Sequence, residues 1–356
     1  MQKIKVLIVD DSATICSMLT ELISQEGSLQ VVGTANNGKV ALSKLYLLKP
    51  DIITLDLEMP EMDGFETIEH IRKFSLTLPI IILSVYSEQG AYKTFKALSL
   101  GATDYVTKPK DSNNAKMFRS ELKNKLIPKI IGLYKVQNIL RIVNESGIQN
   151  KSNIFSSRFG MAKIDVVVIG VSTGGVNALI EVIPRIPSNF PIPILIVLHI
   201  PPLFSQKFSE RLNELSSIQV LEGENGMEIK PGTAYIAPGD YHIYIQKLQN
   251  KVILKTNQEP LENSCRPSVD VLFRSVAQTY GENSLAIIMT GMGEDGLKGC
   301  EEIKKAGGQV IVQNKESSIV WGMPGAVFNA GLSDKEVPLN MMAQEICTKV
   351  QKGRKI

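Results

Sequence analysis

VVVIGVSTGGVNALIEVI, residues 166–183, opens on a run of β-branched residues, passes through a serine- and glycine-rich turn and continues with apolar residues at helical spacing. An unbroken apolar run that ends in a turn and a helix is the pattern of a strand buried on both faces of a parallel sheet. Further along the chain PILIVLHI (193–200), SLAIIMTG (284–291) and QVIVQN (309–314) repeat it, while TAYIAPGDYHIYIQK (233–247) and KVILKT (251–256) contain a hairpin pattern. Towards the N-terminus the same rhythm appears in KVLIVD (5–10), QVVGTA (30–35), DIITLD (51–56), PIIILSV (79–85) and DYVTK (104–108), with helices expected from about Ala13 and through Ala41 to Leu48. The expected fold class is α/β, with two doubly wound, mainly parallel-sheet domains over residues 1–124 and 163–352, the second carrying the β-hairpin. Residues 125–162, an amphipathic helical pattern followed by a Ser/Asn-rich stretch, are expected to be an interdomain linker.

Composition limits the partners. The chain has 356 residues, 44% hydrophobic, enough for each domain to bury a core of its own. Its formal charge of +3, from 39 basic and 36 acidic residues, is too small to mark an electrostatic footprint for nucleic acid or anionic lipid. Cys16, Cys265, Cys300 and Cys347 lie far apart with no C-x-x-C pair, which disfavours structural zinc and a disulfide framework and favours reduced thiols. The apolar stretch Val6–Val9 is too short for a signal-peptide core, and Ile192–Ile200 is too short and too interrupted to cross a bilayer. A cytoplasmic protein without membrane insertion is the expectation.

In parallel sheets functional groups collect at the carboxyl ends of strands, where loops open into a crevice. Asp10 and Asp11 end the first strand, Asp56 ends DIITLD, Ser84 ends PIIILS and Lys108 follows DYVT. Singly, each aspartate could be a helix cap or a turn residue. Together, packed carboxylates repel one another and invite a hard divalent cation such as Mg²⁺. One carboxylate can then act as a nucleophile towards phosphorus while Lys108 pairs with the transferring group.

In the second domain, Gly170 to Gly174 spell G-x-S-x-G around Ser172. That turn is compatible with an exposed nucleophilic hydroxyl at a helix N-terminus, and equally with an anion or dinucleotide cradle. His199 ends the next strand and Asp295 stands in a glycine-rich loop beyond another, which completes a nucleophile, base and orienting acid. Their order, Ser172, His199, Asp295, is not that of α/β-hydrolases. The other histidines, His70 and His242, are expected to be surface or packing residues. A nucleotide-binding output module would explain the glycine-rich turn but not His199 and Asp295. A DNA-binding output module would need a basic helix-turn-helix, and the second half reads as strands instead.

Asp10, Asp11, Asp56, Ser84 and Lys108, with Met59-Pro60, Asp63-Gly64 and Lys108-Pro109, make residues 3 to about 124 resemble the receiver domain of two-component response regulators. GVSTGG, LHIPP, CRPSVDVLFRSVA, TGMGEDG and WGMPGAV extend the resemblance across nearly the whole chain, to the chemotaxis response regulator methylesterases of the CheB family. The resemblance implies a flavodoxin-like receiver and a Rossmann-like, three-layer methylesterase domain. It implies Asp56 as phosphoacceptor, Asp10 and Asp11 as partners of Asp56 in holding Mg²⁺, and Ser84 with Tyr105 as the switch. It further implies Ser172, His199 and Asp295 as a triad, with the Met292 amide as oxyanion donor, Thr173 beside the nucleophile, and no cofactor for the esterase step. The implied reaction is hydrolysis of glutamate γ-methyl esters on methyl-accepting chemoreceptors, with deamidation of glutamines, and the implied phosphodonor is the chemotaxis histidine kinase. Arg266 and Arg274 receive no chemical role. Gly325 stands where many relatives would carry a basic side chain, a difference expected to act on contacts with the receptor helix.

Overall fold

The computed structural model describes residues 3–108, 115–146, 163–352 and 354. The chain divides into two compact units, Met1–Ile148 and Gln149–Ile356.

The first unit alternates strand and helix: β1 (Ile4–Val9), α1 (Ala13–Ser24), β2 (Leu29–Ala35), α2 (Gly38–Leu48), β3 (Ile52–Leu55), α3 (Gly64–Phe74), β4 (Ile80–Val85), α4 (Glu88–Ser99), β5 (Asp104–Lys108) and α5 (Ala115–Ser146). Its five strands lie in the order β2-β1-β3-β4-β5, all parallel. The central β3 is apolar apart from Thr54 and buried at every position, whereas the edge strand β2 is mostly half-buried. Helix starts next to the strand ends are fixed by side chains: Asp63 accepts from the Glu66 amide at 2.8 Å and Ser87 from the Gly90 amide at 2.9 Å. Such caps stabilise a helix by about 1 kcal/mol each and hold the preceding loop in place. Of the residues expected to form a linker, 125–146 continue α5, and 147–162 lie outside the described residues. Leu122, Leu126, Ile130 and Leu133 recur at helical spacing and are buried, and Lys129 pairs with Asp104 of β5.

The second unit contains β6 (Val166–Val171), α6 (Gly175–Val182), β7 (Ile194–Leu198), α7 (Pro202–Leu215), β8 (Gln219–Glu222), β9 (Thr233–Ile236), β10 (His242–Leu248), β11 (Lys251–Asn257), α8 (Val269–Tyr280), β12 (Ser284–Ile288), α9 (Leu297–Lys305), β13 (Gln309–Gln313), α10 (Met323–Asn329), β14 (Lys335–Val337) and α11 (Leu339–Gln351). A parallel sheet of seven strands has the order β14-β13-β12-β6-β7-β9-β8. The hairpin is β10 with β11, and β9 belongs to the large sheet. Ile243, Ile245 and Leu254 of the hairpin join Phe273 and Val276 of α8 and Val166 and Val168 of β6 in one apolar cluster. Burying a side chain of that size contributes about 1.5–3 kcal/mol, so the hairpin anchors α8 firmly over the sheet. Both units are therefore parallel-sheet α/β domains, as the sequence pattern requires.

Candidate active site and phosphoacceptor site

Residues at the carboxyl ends of β1, β3, β4 and β5 converge. Asp10 is buried, Asp11 exposed and Asp56 half-buried, and a carboxylate oxygen of each lies within 4.8 Å of the others. Lys108 reaches Asp10 at 3.2 Å and Asp56 at 3.3 Å, bridging two of the acids. Burial pushes the Asp56 carboxyl above its ordinary value and the neighbouring Asp10 adds to this, while Lys108 pulls the other way. Close-set, part-desolvated carboxylate oxygens are the hard donor set that suits Mg²⁺. Beside Asp56 is a cavity of about 130 Å³ whose lining includes Ser84, Ser87, Gly90 and Lys93. Ser84 is buried, with its hydroxyl 2.6 Å from that of Thr94 and 3.2 Å from the Gly90 carbonyl. Tyr105 is buried in β5, its phenol held well above the usual range by desolvation. Asp56, Ser84 and Lys108 thus meet at one edge, with Tyr105 on the strand next to Ser84.

In the second unit Ser172 follows the last residue of β6 and His199 the last residue of the adjacent β7. Ser172 donates its amide to the Thr290 carbonyl at 3.0 Å and His199 donates its own to the Val171 carbonyl at 3.3 Å, so both positions are fixed by backbone bonds. The imidazole turns Nε2 to Asp295, 2.8 Å from Oδ2. Asp295 is 2% exposed and richly bonded: it accepts from Asn263 Nδ2 at 2.8 Å, Ser268 Oγ at 2.8 Å, and the amides of Val269 and Asp270 at 2.7 and 3.2 Å. It therefore supplies the acceptor at the N-terminus of α8, although it belongs to a different segment of the chain. Burial opposes its charge, but the bonds from His199 and from those amides prevail and hold its carboxyl at about 2. For His199, burial favours the neutral ring, yet the bonds to Asp295 and Cys265 raise it to about 9.

The loop after β12 brings Gly291 against the turn that holds Ser172. A Cβ at Gly291 would sit 3.0 Å from Ser172 Cβ and 2.3 Å from Met323 Sδ, so any side chain there must displace one of them. Thr173 is buried with its carbonyl accepting from the Thr290 hydroxyl at 2.9 Å, and Met292 is half-buried next to Gly291.

Cys265, Asn263 and Ser268 carry no pattern in the sequence that marks them as site residues. They stand around CRPSVDVLF, and a serine directly before an apolar helical run was the available signal. Arg274 makes a two-pronged ion pair with Glu262 at 2.6 Å, and Arg266 pairs with Asp240 at 2.7 Å, so both brace this loop. His242 is buried, accepting the Ser268 amide at 3.2 Å, and His70 lies on α3 with its ring at the Glu66 carbonyl. Gly325 is buried against Trp321, whose ring a Cβ would meet at 2.8 Å, so a longer side chain there must first displace the indole.

The model for the CheB methylesterase domain matches residues 167–346, and that for the response regulator receiver domain matches residues 6–117. A protein of Trichodesmium erythraeum named protein-glutamate methylesterase/protein-glutamine glutaminase is 42% identical over 98% of this chain and 100% of its own length. One of the same name from Archaeoglobus fulgidus is 39% identical over 96% of this chain and 97% of its own. The crystal structure of the Thermotoga maritima CheB methylesterase catalytic domain is 40% identical, covers 52% of this chain and 98% of that one, and superposes with a TM-score of 0.51. With its parallel-sheet receiver unit ahead of a parallel-sheet catalytic unit, the chain belongs to the CheB methylesterase family of response regulators.

Proposed function

We propose that this chain is a phosphorylation-controlled protein-glutamate methylesterase and glutaminase that works through Ser172, His199 and Asp295. The observation that carries the reading is the 2.8 Å contact between buried Asp295 and His199, with His199 and Ser172 directly after the adjacent strands β7 and β6. With Nε2 committed to Asp295, the Nδ1 lone pair is the one available to take the Ser172 proton. The serine oxygen attacks the γ-carbonyl of a methylated glutamate, and His199 returns the proton to the departing methanol. Water then enters, gives a proton to His199, and releases the carboxylate with Ser172 restored. Asp295 stays ionised throughout, holding the ring and compensating the imidazolium. Oxyanion stabilisation is assigned to the Met292 amide, with Thr173 supporting the turn. Deamidation follows the same path with ammonia leaving.

The receiver unit is the control element. Asp56 is the phosphoacceptor; Asp10, Asp11 and Asp56 would hold Mg²⁺, which supplies charge neutralisation for the transferring phosphoryl group. Lys108 pairs with that group, and Ser84 and Tyr105 respond to it. The phosphodonor is a histidine kinase of the chemotaxis pathway and the substrates are methyl-accepting chemoreceptors, which fits a cytoplasmic protein. Among the described residues, no helix is long and apolar enough to cross a membrane. Methanol release from methylated receptor membranes is the test: Ser172→Ala is expected to lower it by about 10⁴-fold or more, and near-normal release would remove the nucleophile assignment.

A further inference from the structure

Cys265 lies on the free side of the catalytic imidazole. Its Sγ is 3.6 Å from His199 Nδ1, the ring nitrogen that Asp295 does not use. The base that must serve Ser172 is therefore already within hydrogen-bond reach of a thiol, and thiol, imidazole and buried carboxylate stand in the nucleophile, base and acid arrangement of cysteine hydrolases. The thiol is half-buried.

We propose that Cys265 is a redox modification site, oxidised by hydroperoxides to a sulfenic acid that switches the esterase off. The proposal rests on His199 being the base of the esterase. When His199 is neutral, the thiol passes its proton to Nδ1 and the sulfur attacks the peroxide. The O–O bond breaks as an S–O bond forms, and the departing alkoxide or hydroxide takes the proton from His199. Sulfur loses two electrons, the peroxide gains them, and the products are the sulfenic acid and an alcohol or water. The added oxygen lies against Nδ1, the atom that Ser172 needs, so ester hydrolysis stops while the thiol is oxidised. A reducing thiol reverses the step through a mixed disulfide.

The other cysteines sit in surroundings that disfavour a thiolate. Burial pushes Cys300 well above the ordinary thiol range, burial and Asp10 push Cys16 up, and burial pushes Cys347 up. A thiol served by a base should therefore react first, roughly tenfold faster or more than Cys16 or Cys347.

The full-length protein is treated with hydrogen peroxide, sulfenic acid is trapped with a carbon nucleophile and located by mass spectrometry, and methanol release is followed in parallel. Cys265 should be trapped before the other cysteines, activity should fall in step with its oxidation, and excess dithiothreitol added before the trap should restore activity and abolish trapping. Cys265→Ser and Cys265→Ala should each keep their own untreated rate under the same treatment. His199→Asn should slow trapping at Cys265, whereas Ser172→Ala, inactive as an esterase, should leave trapping intact. Equal trapping at all cysteines, unchanged trapping in His199→Asn, or equal loss of activity in the Cys265 variants would overturn the proposal. Methanol release surviving in Ser172→Ala would instead strike the esterase reading.

Discussion

Asp56, directly after β3, and Asp295, in the loop between β12 and α9, are both desolvated aspartates on the carboxyl side of parallel strands, and their surroundings drive them in opposite directions. Asp56 faces Asp10 and has Lys108 as its cationic partner at 3.3 Å, and burial leaves its carboxyl raised. Asp295 accepts from His199, two helix-terminal amides, a hydroxyl and an amide side chain, and is held at about 2. The first site is short of positive charge, which suits a metal ion and, on the proposed reading, a transferred phosphoryl group. The second is neutralised by the protein itself and can keep a fixed orientation through a whole catalytic cycle. On the proposed reading, an aspartate beyond a parallel strand is made a nucleophile or a strut by the donors around it.

Replacing the strut has the largest expected effect. Asp295→Asn keeps the shape but favours the wrong imidazole tautomer, so kcat for methanol release should fall by about 10⁴-fold. A fall of less than tenfold, in a variant whose circular dichroism is native, would show that Asp295 serves α8 alone.

A pH profile sharpens the same contrast. Esterase action needs neutral His199, whose proton is held up to about 9 by Asp295 and Cys265 despite burial. Hence kcat/KM should climb from pH 7 towards pH 9, by up to about tenfold per unit. A plateau already reached near pH 6.5 would mean that the imidazole is unperturbed.

A smaller effect is expected at the turn that sets the nucleophile. Gly291→Ala places a methyl 3.0 Å from Ser172 Cβ and 2.3 Å from Met323 Sδ. Relief requires Ser172 or Met323 to shift, costing about 1–3 kcal/mol of stability and roughly 10–100-fold in kcat with KM little changed. Wild-type kinetics would mean that the loop after β12 yields without moving Ser172.

The strands were legible because the central ones are continuous apolar runs, and their ends placed Asp10, Asp56, Ser172 and His199 without further help. Asp295 was legible as a glycine-loop acid but not as the acceptor for α8, since Ser268 and Val269 reach it only through the tertiary fold. Cys265 was hidden for the same reason: its spacing from His199, 66 residues, carries no local signal. Gly325 reads as a lost charge in sequence and as packing space for Trp321 in the structure. No residue at 124 breaks the helical pattern, and α5 continues through it to Ser146.

The central claim, that Asp56 controls Ser172, is tested most directly by methanol release from methylated receptor membranes with and without an acyl-phosphate donor. The donor should accelerate release by the intact protein, have no effect on Asp56→Asn, and fail to elicit release from Ser172→Ala. Equal stimulation of intact protein and Asp56→Asn would contradict the account.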